Sequence, residues 1–236
     1  MRNYGKLLLF FCGSMLLCGC VEMTGGLRSA EEVPQNLSTR SFPAKFYVES
    51  IGEDNTYSDF STWEKFNTAS LRAELCKDWP EIFTNRKHNA LQIKFQFEVQ
   101  DTVKEDYDFI SLSSAFFSMF TLGFSPARVN YSQDVKLKVI VENETIEYNY
   151  ILQRIGHWNL GILGFFGTRH LLKPDKKQQF EVTTGGIDKL KQPLVLKEEK
   201  RKDFLRLLVS ELYRFPEDKL LKIYLSSKAR KTELLE

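Results

Sequence analysis

ALQIKFQFEV, residues 90–99, sets how the rest of the chain is read. Leu91, Ile93, Phe95, Phe97 and Val99 alternate with Gln92, Lys94, Gln96 and Glu98. Strict alternation over this length predicts a strand with one buried and one wet face, as in an antiparallel sheet. Residues 134–142 repeat the pattern with Val135, Leu137, Val139 and Val141, and residues 145–154 carry Ile146, Tyr148, Tyr150 and Leu152 on one face. Asn143 lies between these two runs, which predicts a hairpin. Residues 45–51 (KFYVESI) are a further strand candidate on the amino-terminal side.

Two helices flank these strands. Ser61-Thr62-Trp63-Glu64 matches a capping box and predicts a helix from there to about Lys77. Trp63, Leu71, Leu75 and Trp79 fall on an i+4 ladder, with Phe66, Ala69, Ala73 and Cys76 beside it, a broad core-facing stripe. Pro80 ends it, because a residue before proline is pushed out of the helical region. Residues 197–214 form the second long helix, with Phe204, Leu207, Leu208 and Leu212 as its stripe, Leu205 and Val209 beside it, and Pro216 after it. Residues 220–225 fit a last strand or short helix, and the tail from 226 to 236 is expected to be mobile. The expected fold is α+β: a mainly antiparallel sheet of about four to six strands, with two long helices packed on one face. It forms one domain over residues 44–225.

Two segments stand outside this pattern. Residues 109–127, FISLSSAFFSMFTLGFSPA, are nineteen residues without a charge, a length at which a spanning helix is considered. Ser111, Ser113, Ser114, Ser118 and Thr121, with Gly123 and Pro126, argue against a span. Ile110, Leu112, Phe116, Phe120, Leu122 and Phe124 share one parity, which suits a covered strand or hairpin as well as a helix. Residues 157–168, HWNLGILGFFGT, carry Gly161, Gly164 and Gly167 every third position. That is no phosphate-binding fingerprint, and the glycines suit tight turns and close packing. Ordinary core or covered loop is one reading of both segments, and insertion into a bilayer is another. The sharper reading is an apolar docking patch made by Phe116, Phe117, Phe120, Trp158, Leu163, Phe165 and Phe166, meeting a partner or the lipid interface.

Catalytic chemistry leaves no such trace. His88, His157 and His170 lack metal-ligand spacing, Cys76 has no second thiol near it, and no nucleophile motif occurs in the body. The acidic pairs Glu31-Glu32, Glu53-Asp54 and Glu198-Glu199 sit in polar runs. No enzyme activity, metal or cofactor is therefore expected.

The amino terminus gives an address. Arg2 and Lys6 make a positive first segment, and residues 7–17 are almost wholly apolar, too short to span a membrane and of signal-peptide length. Leu17, Cys18, Gly19 and Cys20 then resemble the lipobox of bacterial lipoproteins, with Leu at −3, Gly at −1 and Cys at +1. The resemblance implies diacylglycerol on the Cys20 thiol, cleavage before Cys20 and acylation (typically palmitate) of the new amino terminus. At about 0.8 kcal/mol per buried CH₂, several chains hold stably where one holds marginally. Val21 rather than Asp at +2 favours, by the same resemblance, the outer membrane with the body facing the periplasm, the inner membrane being the alternative. Residues 1–19 are then signal peptide. Residues 20–43, with Gly25-Gly26 and two prolines, read as a flexible tether reaching about 25–30 Å.

Cleavage removes Arg2 and Lys6, so Lys plus Arg falls from 33 to 31, equal to the 31 Asp plus Glu. A neutral body gives no electrostatic basis for binding nucleic acid. The box at Cys20, LRAELCKDWPEIF (residues 71–83), residues 90–99 and TLGFSPA (residues 121–127) together resemble small α/β domains of periplasm-facing lipoproteins that serve as accessory subunits of envelope assembly or transport machines. They also resemble uncharacterised lipoproteins with the same order of pieces. The likeness transfers no catalytic residue. The expectation is a non-enzymatic binding or assembly module, with the membrane as partner through acylated Cys20 and an envelope protein as a further partner. The alternative is a lipid-anchored enzyme or small-ligand carrier with a pocket between sheet and helices.

Overall fold

The computed structural model describes residues 20–29, 41–53, 66–106, 108–120, 127–159, 180–182 and 194–233. Among the described residues the fold is mixed, with four helices and a mostly antiparallel sheet, in agreement with the α+β expectation. Strands are β1 (Cys20–Ser29), β2 (Phe46–Glu53), β3 (Leu91–Asp106), β4 (Ala127–Val141), β5 (Glu144–Asn159), β6 (Phe180–Val182) and β7 (Leu194–Leu196). Helices are α1 (Thr68–Asp78), α2 (Phe109–Phe120), α3 (Arg201–Arg214) and α4 (Glu217–Glu233), with a 3-10 turn at Glu198–Lys200 before α3.

The chain groups into two compact units. The described part of the first is residues 20–27, 102–106, 108–120, 127–133, 152–159, 180–182 and 194–197. The described part of the second is residues 28–29, 41–53, 66–101, 134–151 and 198–233.

In the second unit the strand order is β2-β3-β4-β5. The alternation read from residues 90–99 holds: Leu91, Ile93, Phe95 and Phe97 are buried, as are Val135, Leu137, Val139 and Val141 of β4 and Tyr148 and Tyr150 of β5. The opposite face carries a ladder of cross-strand ion pairs, Glu49 with Lys94, Glu98 with Lys138 at 2.7 Å, and Lys136 with Glu147. Glu142 adopts φ 53° in the β4–β5 turn. It is held there by β3: its N–H donates to Gln92 O at 2.9 Å and its carboxylate accepts from Gln92 N at 3.0 Å.

β2 and β3 pair in parallel, Phe46 opposite Leu91 and Ile51 opposite Phe95, with α1 as the crossover between them. β2 is the edge, and its outward groups are occupied. Phe46 N donates to Ile82 O, Thr84 N donates to Phe46 O, and the Arg72 guanidinium donates to Val48 O at 3.0 Å. These bonds blunt that end of the edge as a template for pairing with another chain.

α1 starts later than the capping-box reading placed it. Phe66 and Asn67 are not helical, and Asn67 is the cap, its side chain accepting from Ser70 N at 3.1 Å. Residues 61–65, with the expected box and Trp63, lie outside the described residues. The stripe is also narrower: only Leu71 and Leu75 are buried, while Ala69 and Ala73 are exposed. Trp79 terminates the helix ahead of Pro80, as expected, its N–H returning to Leu75 O.

α3 packs on the apolar face. Phe204 stacks on Phe66 at 5.3 Å and meets Phe97 of β3 at 5.9 Å. Phe204, Leu205, Leu208, Val209 and Leu212 are buried. Residues 220–225 lie within α4, which runs on to Glu233 where a mobile tail was expected. Leu220 and Ile223 anchor it inward.

In the first unit the distal parts of β3, β4 and β5 continue, and the order extends β5-β1-β6-β7. β1 corrects the tether reading: residues 20–29 are a strand, antiparallel to β6 with Thr24 opposite Glu181 and Gly25 opposite Phe180. The glycine that suggested flexibility serves packing instead. A Cβ on Gly25 would lie 3.2 Å from Leu194 Cδ1 and 3.5 Å from Gln153 O. The rest of the expected tether that is described, residues 41–43, includes Phe42, packed on Phe46 and Tyr213 at 5.3 and 5.1 Å. Residues 30–40 lie outside the described residues.

Candidate contact face

α2 lies between β3 and β4, and it is built inside out. Asp108 precedes it and caps it: Ser111 N donates to the Asp108 carboxylate at 2.7 Å, and Ser111 Oγ donates to Asp108 O. These Ser111 bonds hold the Asp108 carboxyl below its ordinary range, helped by Arg128. Ser111, Ser114 and Ser118 share an arc of about 60° at about 100° per residue. That arc faces the protein: Ser111 and Ser118 are 2% and 8% exposed, and Ser114 Oγ accepts from Arg128 N at 2.8 Å. Each buried hydroxyl needs such a partner, and Ser114 Oγ also donates to Ser111 O at 2.8 Å.

The opposite arc, about 140° wide, holds Phe109, Leu112, Phe116, Phe117 and Phe120. These five are between 57% and 84% exposed. Phe116 and Phe120 lie one turn apart with ring centroids 4.7 Å from each other, on the outer side. Fully burying such a side chain is worth about 1.5–3 kcal/mol. This fold forgoes that gain five times on one short helix while burying serines.

Phe116, Phe117 and Phe120 of the expected patch are thus brought together on α2. Trp158 is in β5, and Leu163, Phe165 and Phe166 lie outside the described residues. Cys20 is the first residue of β1, and the signal peptide read over residues 1–19 lies outside the described residues. Phe109 and Leu112, outside the expected patch, lie on the same arc. Spacing of 109, 112, 116 and 120 at three and four residues was the available signal.

α2 has 12 residues, about 18 Å at 1.5 Å per residue, short of the ~30 Å hydrocarbon thickness. Among the described residues no helix is long and apolar enough to cross a membrane.

A second polar feature lies in the second unit. Glu211 on α3 is fully buried, accepting from the Tyr150 hydroxyl and from Arg214 Nη1 at 2.9 and 3.2 Å. The Arg214 guanidinium also lies 4.7 Å above the Tyr148 ring. Burial and the Glu211 charge push the Tyr150 hydroxyl far above its ordinary value. Tyr150 and Glu211 are closed to solvent, so the cluster ties α3 to β5 and offers no open coordinate for a substrate. A cleft of about 340 Å³ lies beside α4, lined by Ala44, Ala90, Leu91, Tyr224, Ser227 and Lys228. It gathers one cation, with no carboxylate or imidazole to work beside it. Burial likewise raises the Cys76 thiol, which contacts Asn85 Oδ1 at 3.4 Å. Among the described residues no three of His, Cys, Asp and Glu group as metal ligands.

The chain matches no family model and no curated protein. Among solved structures it resembles the rare lipoprotein B from Shewanella oneidensis. The likeness extends over 80% of this chain and 99% of that one at 10% identity, with a TM-score of 0.22.

Proposed function

We propose that this chain is a lipid-anchored protein of the bacterial envelope, held through acylated Cys20 at the periplasmic face of the outer membrane, whose body is a non-enzymatic docking module. The observation that carries the docking role is α2, whose five large apolar side chains face outward while Ser111, Ser114 and Ser118 face in. A helix so arranged is explained by a surface that covers it. The anchor rests on the n-region, apolar run and box that end at Cys20. The lack of convergent acid–base groups at the described cleft, and the closure of the Tyr150–Glu211–Arg214 cluster, support a binding role over a catalytic one.

Two measurements test this. Mass analysis of the amino-terminal peptide from membranes is expected to show Cys20 carrying three acyl chains, and Cys20→Ser is expected to leave the membrane fraction unmodified. Recovery of the wild type with an intact residue 1–19 segment and an unmodified thiol would refute the anchor. The docking role predicts that Phe116→Ser with Phe120→Ser removes the function of the chain in cells while the protein accumulates normally.

A further inference from the structure

We infer that the surface covering α2 is the bilayer itself: Phe109, Leu112, Phe116 and Phe120 form a second membrane contact beside the anchor. This rests on the reading of Cys20 as the lipid site, and on the placement of both features in the first unit.

The placement follows from strand direction. β3 ends at Asp106, α2 follows it, and β4 begins at Ala127. The ion pair between Glu98 and Lys138 and the bond between Gln92 and Glu142 set β3 and β4 antiparallel. The two-residue turn at Glu142 and Asn143 does the same for β4 and β5, so β5 ends where β4 begins. Gly25 of β1 lies against Leu152 and Gln153 of β5. The first unit takes the leading part of β1, residues 20–27, and the trailing part of β5, residues 152–159, so these two strands also run oppositely. The end of β3, the start of β4, the end of β5 and the start of β1 therefore share one margin of the sheet. α2 joins the first two and Cys20 is the last. Two to three strand spacings of about 4.8 Å separate them, about 10–15 Å.

Cys20 is itself the first residue of the strand, so no slack intervenes between the acylated thiol and the sheet. A body mounted this way is held with that margin at the lipid headgroups, and what it presents there is α2. The chemistry of the face fits. Residues 109–120 include no charged side chain, and the one hydroxyl within the outer arc, that of Ser113, costs far less to desolvate than an ion, whereas protein interfaces ring their apolar centre with a polar rim. The helix is too short to cross and long enough to lie along the surface. Its polar side needs no water, because Ser111 and Ser114 are bonded within the protein. This differs from a free amphipathic helix, whose cationic face looks to solvent.

The test uses the processed, lipidated chain reconstituted into phosphatidylethanolamine–phosphatidylglycerol vesicles carrying acyl-chain bromines. Phe116→Trp and Phe120→Trp add an emitter on the arc, and matched vesicles without bromines give the reference emission. The apolar face of an interfacial helix sits about 5–10 Å into the headgroup–acyl boundary, within reach of the bromines. The emission added at 116 or 120 is expected to shift to the blue and to fall roughly twofold or more against that reference at that depth. Protein retained on the brominated vesicles with the 116 and 120 emitters unquenched overturns the inference and leaves the anchor standing. Unquenched emitters with crosslinks between copies through Phe116→Cys assign the face to a second copy instead, and equally overturn it. Protein that washes off the vesicles altogether overturns the anchor reading, and this inference with it.

Discussion

α2 and α3 are helices of similar length, 12 and 14 residues, with opposite relations between chemistry and burial. α3 follows the rule for a globular helix: Phe204, Leu208 and Leu212 go in, and Lys202, Asp203 and Arg206 stay out. α2 reverses it, with Ser111 and Ser118 in and its phenylalanines out. The contrast shows that apolar content alone does not make core. What commits a helix to the interior is a facing surface, and α3 has one in the rings of Phe66 and Phe97. α2 instead leaves Phe109, Leu112, Phe116 and Phe120 more than half exposed, and its inward Ser111 and Ser114 find backbone partners.

The strongest way to sharpen the contrast is Phe204→Ala, which removes the central ring of the α3 cluster. It is expected to cost about 3–5 kcal/mol by chemical denaturation. Glu211→Ala on the same helix leaves Arg214 and Tyr150 without their shared acceptor. About 3 kcal/mol is expected, near the lower end for breaking a buried pair, because the Arg214 side chain keeps 15% exposure. A loss under half of that would mean that the cluster is not what joins α3 to β5.

Tyr150 adds a pH signature. Its folded-state pKa is raised, so the neutral form is the one folding favours, and its contribution is complete below about pH 10, the ordinary tyrosine value. Above that the unfolded chain releases a proton which the folded one keeps, and stability is expected to fall by about 1.4 kcal/mol per pH unit from this group alone. In Tyr150→Phe that part of the alkaline slope disappears, which denaturation curves at successive pH values between about 9 and 11 measure.

Asp108→Ala tests the cap that starts α2. About 1 kcal/mol is expected, seen most directly as faster amide exchange over residues 109–114. Since bonds from Ser111 lower the Asp108 pKa, the carboxylate's contribution is present above about pH 4 and is lost as pH falls through the folded value.

The smallest effect decides most. Phe116→Ser together with Phe120→Ser is expected to change folding stability by no more than about 0.5 kcal/mol, as for surface positions generally. A cost of several kcal/mol would show that the arc is covered within the fold, and the contrast between α2 and α3 would collapse.

Much of the second unit was legible because its physics is local. Alternation over residues 90–99 requires one wet face wherever the strand pairs, and the 204–212 spacing requires one buried stripe. Three features were not legible. Glu211 reads as an exposed helix acid until Tyr150, sixty-one positions away, is known to face it. The parallel β2–β3 pairing depends on a crossover that short-range pattern does not encode. Gly25-Gly26 suggests a flexible linker unless Leu194 and Gln153 are known to press against it. At the candidate contact face, the uncharged run over residues 109–127 was legible as a segment apart. That serines rather than phenylalanines would turn inward was not, since periodicity identifies the two arcs and leaves open which one is covered.

That β1 starts at Cys20 has a mechanical consequence. β1 lies between β5 and β6 in the strand order, so its backbone bonds are shared with neighbours on either side. Tension drawn along this strand from acyl chains at its first residue would load those bonds together, in shear. A peel, by contrast, would open them one after another. On the proposed anchor at Cys20, such an attachment would resist a pull better than a linker ending in a loop, and would pass it directly into the sheet.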